Sequence, residues 1–103
     1  MKVIPLNNDT LVKPFKKKET LSSGIFDPNA NIKDNYSYGK VLAIGDSVKN
    51  VSIGDWVLMP QAVPVVNHED ELHYFANEER YIIAKLENVD MEYFEEGIPG
   101  FKK

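Results

Sequence analysis

The sequence predicts one small all-β domain, either a barrel or a sandwich. The chain has 103 residues, which is enough for one hydrophobic core and no more. Its apolar residues fall in short runs separated by Gly, Pro, Asn and Asp, the pattern of short strands joined by turns. Only one stretch, residues 87–96, has a composition that favours a helix.

The first strand is predicted at residues 11–15, where Leu11, Val12 and Phe15 surround Lys13. Pro14 has no amide hydrogen to donate, so its presence predicts that part of this strand lies at a sheet edge.

Two further strands are predicted from apolar runs beside glycines. Residues 39–45 form an apolar run between Gly39 and Gly45, and we expect the chain to turn sharply at both glycines. Residues 55–59 form the next strand, after a turn in which Gly54 is expected to take a positive φ.

The second half of the chain predicts shorter elements. A fourth strand is predicted at residues 80–84, and a weaker fifth at residues 63–66 around Pro64. Residues 87–96 predict at most one or two turns of helix, because Gly97 and Pro99 follow.

Residues 16–38 do not fit a strand or a helix, because they are polar, rich in Ser and Asn, and without a sustained period. A loop of this length in a compact domain is usually functional or disordered. Its one apolar pair is Ile25-Phe26. The composition leaves two interpretations open: the pair anchors a partner, or it packs against the domain's own core.

The composition excludes several classes of chemistry. The chain has no Cys, which excludes disulfides, thiolate metal sites and cysteine nucleophiles. A net charge of -4 argues against general nucleic-acid binding. His68 and His73 are five positions apart, unlike a zinc helix, and residues 69–71 read as a solvated acidic turn. Lys16-Lys17-Lys18 reads as a solvated loop edge. No phosphate loop or catalytic spacing is present.

The order of several blocks resembles the GroES-type co-chaperonins, the small lid proteins of group I chaperonins. The most specific blocks are GKVLAIG at residues 39–45 and VSIGDWVL at residues 51–58. Less specific matches are Pro5-Leu6, Leu11-Val12-Lys13, Gly24-Ile25-Phe26 and RYIIA at residues 80–84.

This resemblance implies a small irregular antiparallel β-barrel over residues 1–90, with a long mobile loop at residues 16–38. Residues 91–103 then form a C-terminal extension. In the family, seven subunits form a dome-shaped ring joined through their terminal strands. The subunit-interface residues that the resemblance implies here are Val3, Ile4, Leu6, Ile82 and Ile83.

The resemblance also implies a function without an active site. The family's mobile loop docks on the apical domain of a GroEL-type chaperonin, and the ring then encloses a substrate protein for folding. The chaperonin-binding residues would be Ser23, Gly24, Ile25, Phe26 and Asp27. No metal or cofactor is implied, because the chaperonin binds and hydrolyses the ATP. The implied location is the cytoplasm.

The sequence departs from the family pattern at three places. Asp27 stands where the docking tripeptide usually has a third apolar residue. Only residues 46–50 stand between Gly45 and Val51, where the family has the hairpin that roofs the dome, so this roof is expected to be shortened or absent. Residues 91–103 extend past the usual end. The shortened roof resembles that of phage-encoded co-chaperonins, which would place the protein in the host cytoplasm.

Other classes remain open at this stage. A structural or assembly barrel, for example a virion-associated one, would keep the fold and have no chaperonin partner. The barrel of a medium-chain dehydrogenase would need a nucleotide-binding domain, and usually zinc ligands, that this sequence lacks. A nucleic-acid-binding barrel is disfavoured by the acidic charge.

Overall fold

The computed structural model describes residues 1–18 and 36–98, and within these residues seven strands form. The strands are β1 (Asp9–Lys17), β2 (Tyr36–Ile44), β3 (Trp56–Pro60), β4 (Val65–His68), β5 (Glu71–Asn77), β6 (Ala84–Leu86) and β7 (Phe94–Glu96). One 3-10 turn, Met91–Tyr93, precedes β7. This confirms the short helical element expected within residues 87–96.

The strands form one antiparallel sheet in the order β4-β5-β1-β2-β3-β6, and β7 also pairs with β1. β1 is therefore central: β2 pairs along one edge, while β5 and then β7 pair along the other. The small antiparallel all-β fold expected from the sequence is confirmed.

The sheet encloses one hydrophobic core. Its buried members come from β1, β2, β3, β5 and two connections: Val12, Val41, Val51, Val57, Met59, Val63, Tyr74 and Ala76. The register between β1 and β2 shifts between Leu11 and Val12, and both of these neighbours are buried. A bulge at this point lets consecutive apolar residues be buried in a strand that otherwise alternates.

The prediction that Pro14 marks a sheet edge was wrong, because β1 has partners on both sides. Pro14 lies opposite Gly39 of β2, at the break between the β5 pairing, which ends at Val12, and the β7 pairing, which begins at Phe15. The Pro14 carbonyl accepts a hydrogen bond from the Gly97 amide at 3.1 Å. The Pro14 nitrogen, which carries no hydrogen, faces the same edge of β1 as its carbonyl. At this point of the edge the pairing with β5 has ended and the pairing with β7 begins.

Gly39 has a different role from the predicted strand end. It lies inside β2, where a Cβ atom would stand 2.2 Å from Cγ1 of Val12 and 2.8 Å from the carbonyl oxygen of Lys13. Close approach of β1, and not a turn, therefore requires glycine here. Gly54 does take the expected positive φ, at 97°.

The predicted strand at residues 80–84 was wrong in position, because β6 begins only at Ala84. The side-chain oxygen of Asn77 accepts hydrogen bonds from the amides of Glu79 and Arg80, and the Asn77 backbone oxygen accepts one from Tyr81. These bonds fold the chain into a turn directly after β5. Because of this turn, the next strand begins only at Ala84.

The acidic turn predicted at residues 69–71 joins two strands. Glu69 and Asp70 both have positive φ, 50° and 67°, as a two-residue hairpin turn requires. Glu71 begins β5, a strand that the sequence interpretation missed, and β4 is displaced towards the C-terminus from its predicted position at residues 63–66. Pro64 lies just before β4, and its carbonyl accepts from Phe75 at 2.9 Å.

Both ends of the predicted loop, residues 16–38, belong to strands. Lys16 and Lys17 complete β1 by pairing with β7, and Tyr36, Ser37 and Tyr38 begin β2 by pairing with β3. These positions lie at strand ends, and all of them except the buried Ser37 are exposed or half-buried, so polar residues fit there. These residues form strands because they pair with segments distant in sequence, and local composition does not reveal such pairing.

The connection that follows β2 is short and has no strand between Gly45 and Val51, as the sequence led us to expect. It is held by Glu78, a buried residue directly after β5. The Glu78 carboxylate accepts hydrogen bonds from the amides of Lys49, at 3.0 and 3.1 Å, and Asn50, at 2.7 Å. The Glu78 amide in turn donates to the carbonyl of Asn8 at 2.8 Å.

The charge of Glu78 is stabilised by this hydrogen bonding. Burial raises the pKa of its carboxyl, but bonds from the amides of Asn50, Lys49 and Val51 and from the Asn8 side chain outweigh burial. The net pKa of Glu78 lies below its ordinary value. The ionised form is therefore the one that the fold stabilises.

We expect Glu78→Gln to lower the free energy of unfolding by about 1 to 3 kcal/mol, because it replaces one acceptor oxygen by an NH₂ group that faces backbone donors. Denaturant titration at fixed protein concentration measures the change. Glu79→Gln is the matched control, since it removes the same charge from an exposed neighbour. Equal effects of the two substitutions would contradict the role given to Glu78.

The same carboxylate predicts a pH dependence. Because the folded-state pKa of Glu78 is lowered, the ionised carboxylate adds to the free energy of unfolding at pH values above the unfolded pKa of about 4.3. This stabilisation is lost as the pH falls through the folded-state pKa. The stability gap between the unmodified protein and Glu78→Gln should therefore narrow as the pH falls from about 6 to about 3. Denaturant titrations across this range measure the gap. A constant gap would show that ionisation of Glu78 contributes nothing.

Candidate functional site

The segment predicted to bind a partner joins β1 to β2. All five predicted binding residues lie outside the described residues, so their roles remain predictions: Ser23, Gly24, Ile25, Phe26 and Asp27. The structure does show the two strands from which the segment leaves the barrel. β1 ends at Lys17 and β2 begins at Tyr36, and the antiparallel pairing of Phe15 with Tyr38 places these two strand ends side by side.

Aromatic side chains cover the sheet between these strand ends, on the face opposite the core. The Phe15 ring lies 4.6 Å from that of Trp56, measured between ring centroids, and the Phe94 ring lies 5.5 Å from Trp56. Phe94 also meets Tyr38 edge-on at 5.3 Å. Lys17 adds a cation–π contact, with its Nζ 5.3 Å from the Tyr38 ring centroid. The base of the segment is therefore a packed aromatic cluster.

The N-terminal group of predicted interface residues lies beside the β4–β5 hairpin. Ile4 and Leu6 are 69% and 66% exposed, whereas Val3 is half-buried. The Val3 amide donates to Nδ1 of His68 at 2.9 Å, and the Met1 carbonyl accepts from the Glu69 amide at 2.7 Å. The N-terminal segment is thus held along the hairpin, with two large apolar side chains facing outward.

The second predicted group precedes β6. Ile83 is 57% exposed, and its amide donates to the Leu58 carbonyl at 2.9 Å. Ile82 is half-buried and packs against the core. Of this pair, Ile83 offers the exposed apolar side chain.

The two groups lie beside opposite ends of the pairing order of the sheet. β4 and β6 are the terminal strands of the pairing order, so each has one unpaired edge.

The two histidines have structural partners. Their rings meet edge-on at 5.1 Å, and Nδ1 of the buried His73 lies 3.0 Å from the carbonyl oxygen of Glu71. Within residues 1–18 and 36–98, no group of three or more His, Cys, Asp or Glu side chains is placed to hold a metal ion. Across that same part of the chain, no helix has the length and apolar character needed to span a membrane.

Sequence reasoning missed two features of the barrel, of which only the second borders the candidate site. One is Glu78, whose partners are backbone amides and leave no trace in a residue pattern. The other is β7, which pairs with β1 near the origin of the segment. The acidic pair Glu95-Glu96 complements the basic residues Lys13 and Lys16, and this charge match was the signal available in the sequence.

The comparisons with known proteins agree with one another. The family model described as "Chaperonin 10 Kd subunit" matches residues 2–86. The protein named "Co-chaperonin GroES" from Pseudothermotoga lettingae is 32% identical over 89 residues, covering 84% of this chain and 99% of its own length. The proteins of the same name from Kosmotoga olearia and Thermotoga maritima are 32% and 30% identical over 89 and 91 residues, each across 84% of this chain. They are covered over 99% and 98% of their own lengths.

Proposed function

The chain belongs to the chaperonin 10 kDa subunit family, the GroES-type co-chaperonins, and on that premise we propose that seven copies form a ring that caps a group I chaperonin. Capping depends on nucleotide bound by the chaperonin and encloses a substrate protein for folding. The observation that carries the proposal is the family match over residues 2–86, which includes every strand from β1 to β6.

The proposed docking element is the segment between β1 and β2, with Ser23, Gly24, Ile25, Phe26 and Asp27 as its contact residues. A loop that becomes ordered only on its partner loses conformational entropy, so each docking event is weak. Several loops tethered to one ring raise the effective concentration at the remaining sites, which makes capping strong and still reversible. The family is not an enzyme family, and we propose that this chain carries no cofactor and leaves ATP hydrolysis to its GroEL-type partner.

The proposed ring joins the β6 edge of one subunit to the N-terminal segment of the next. Support comes from the exposed Ile4, Leu6 and Ile83, which lie beside opposite ends of the pairing order of the sheet. Because residues 46–50, in the connection between β2 and β3, form no strand and are held by Glu78, we propose that the top of the ring is open. An open roof fits a phage-encoded co-chaperonin that acts in the host cytoplasm on a bulky substrate.

We expect Ile25→Ala and Phe26→Ser to leave the ring intact and abolish capping, because losing a buried anchor costs about 2 kcal/mol per site and the loss recurs in every subunit. Nucleotide-dependent binding to a bacterial group I chaperonin measures this. Asn31→Ala, in the same segment, is the control and should cap normally. If Ile25→Ala and Phe26→Ser both cap normally, the docking residues are wrongly assigned. If the unmodified ring caps no such chaperonin, an assembly role without a chaperonin replaces the proposal.

We expect a native mass of about 82 kDa, seven copies of the 11.7 kDa chain, and we expect Ile83→Asp to dissociate the ring by burying an unpaired charge at the β6 edge. Native mass spectrometry at micromolar concentration measures both. Ile53→Asp is the matched control, because Ile53 is 65% exposed but lies in the turn before β3. A monomeric unmodified protein, or a ring unaffected by Ile83→Asp, would contradict the proposed assembly.

A further inference from the structure

The C-terminal segment, residues 91–98, lies beyond the family match yet folds onto the barrel. Asp90 starts it by accepting a hydrogen bond from the Glu92 amide at 2.9 Å, which caps the 3-10 turn. β7 then pairs antiparallel with Phe15–Lys17 of β1. Ile98, at the end of the described residues, packs against the hydrophobic core.

The segment covers the part of β1 that β5 leaves unpaired. The pairing of β5 with β1 ends at Val12. The backbone hydrogen bonds between β1 and the C-terminal segment run from Pro14 to Lys18. The Gly97 amide donates to the Pro14 carbonyl at 3.1 Å, and the Lys18 amide donates to the Tyr93 carbonyl at 2.8 Å. Lys18 is the last described residue before the segment at 19–35, so the pairing reaches the point where that segment begins.

Side chains reinforce the backbone pairing. Phe94 lies on the aromatic cluster between Trp56 and Tyr38. Glu96 forms an ion pair with Lys13, and Oε1 of Glu95 lies 3.8 Å from Nζ of Lys16. These half-exposed ion pairs add little stability individually. The pair with Lys16 does place an acidic group beside the basic run at the end of β1.

We propose that residues 91–98 form a brace that fixes the end of β1 and thereby increases the affinity of the adjoining docking segment for its chaperonin. β2 keeps β3 as a partner at its first residues, but the last residues of β1 would lose their partner on one edge without β7 and would fray. Docking would then have to order those residues as well, and the cost would lower affinity. The affinity part rests on the proposed function, whereas the brace itself is a property of the free protein.

A matched pair of proline substitutions tests the brace. Amides alternate between the two edges of a strand, and the bonds at Tyr93 and Gly97 show that the Glu95 amide faces β1 while the Glu96 amide faces away. Glu95→Pro therefore removes a donor to β1, and Glu96→Pro does not. Each variant also loses one carboxylate that faces a lysine, so charge and proline content are matched.

Hydrogen exchange at the Lys18 amide is the first measurement, made on the free ring. We expect Glu95→Pro to speed this exchange at least about tenfold, and Glu96→Pro to change it much less. Nucleotide-dependent capping is the second, where we expect Glu95→Pro to weaken apparent affinity at least about tenfold, because each subunit repeats the loss. The native mass should stay that of the unmodified ring.

Charge reversal supplies a second variant should Glu95→Pro fail to fold. Glu95→Lys with Glu96→Lys should accelerate exchange at Lys18 and weaken capping. Adding Lys13→Glu with Lys16→Glu should restore both, a rescue that loss of overall stability would not give. Glu79→Lys with Glu87→Lys, two exposed positions away from β1, is the control for net charge.

The outcomes separate the two proposals. Normal Lys18 exchange in Glu95→Pro would overturn the brace, and fast exchange with unchanged capping would overturn its effect on affinity. If the unmodified ring caps no chaperonin, the proposed function and the affinity part both fail. The exchange of Lys18 still decides in that case whether the segment fixes β1.

Discussion

The fold depends on β1 having a partner along both edges. Buried backbone amides and carbonyls must be hydrogen-bonded, and β1 carries buried residues along most of its length. β2 pairs along one edge, while β5 and β7 share the other in succession. Pro14 lies where one partner gives way to the next, so its missing amide falls at the one break in this edge. The remaining strands extend the sheet outward from β2 and β5.

Local patterns in the sequence were sufficient for the strands whose residues identify them. β2 and β3 are apolar runs beside glycines, and the predicted glycine conformation held at Gly54, where the turn itself requires a positive φ. It did not hold at Gly39, because the requirement there comes from the approach of β1, a strand distant in sequence. β6 was misplaced for a similar reason, since the side chain of Asn77 folds the preceding residues into a turn.

The sequence likewise pointed to one part of the molecule, the segment between β1 and β2, and left β7 and the role of Glu78 unpredicted. The docking role of the segment between β1 and β2 stays a prediction, made from the resemblance of the sequence to a family after composition had left two interpretations open. β7 was missed because three residues give no periodicity, and its pairing joins Phe94 to Lys17 across most of the chain. Glu78 was missed because one acidic residue in a charged stretch has no distinguishing pattern. Its role arises from backbone amides that only the folded connection brings within reach.

Two of the three departures from the family pattern, the short connection at residues 46–50 and the C-terminal extension, lie at opposite ends of β1. Glu78 holds the short connection at the end where β1 begins, near Asn8, whereas β7 pairs at the end where β1 finishes. Nine residues of extended strand separate these ends by about 30 Å. Groups that far apart contribute to stability nearly independently. Leu6, one of the proposed ring contacts, lies at the Glu78 end of β1, where its carbonyl accepts a hydrogen bond from the Asp9 amide at 3.0 Å. The shortened connection therefore borders a proposed ring contact, whereas the proposed brace acts on β1 from the far end.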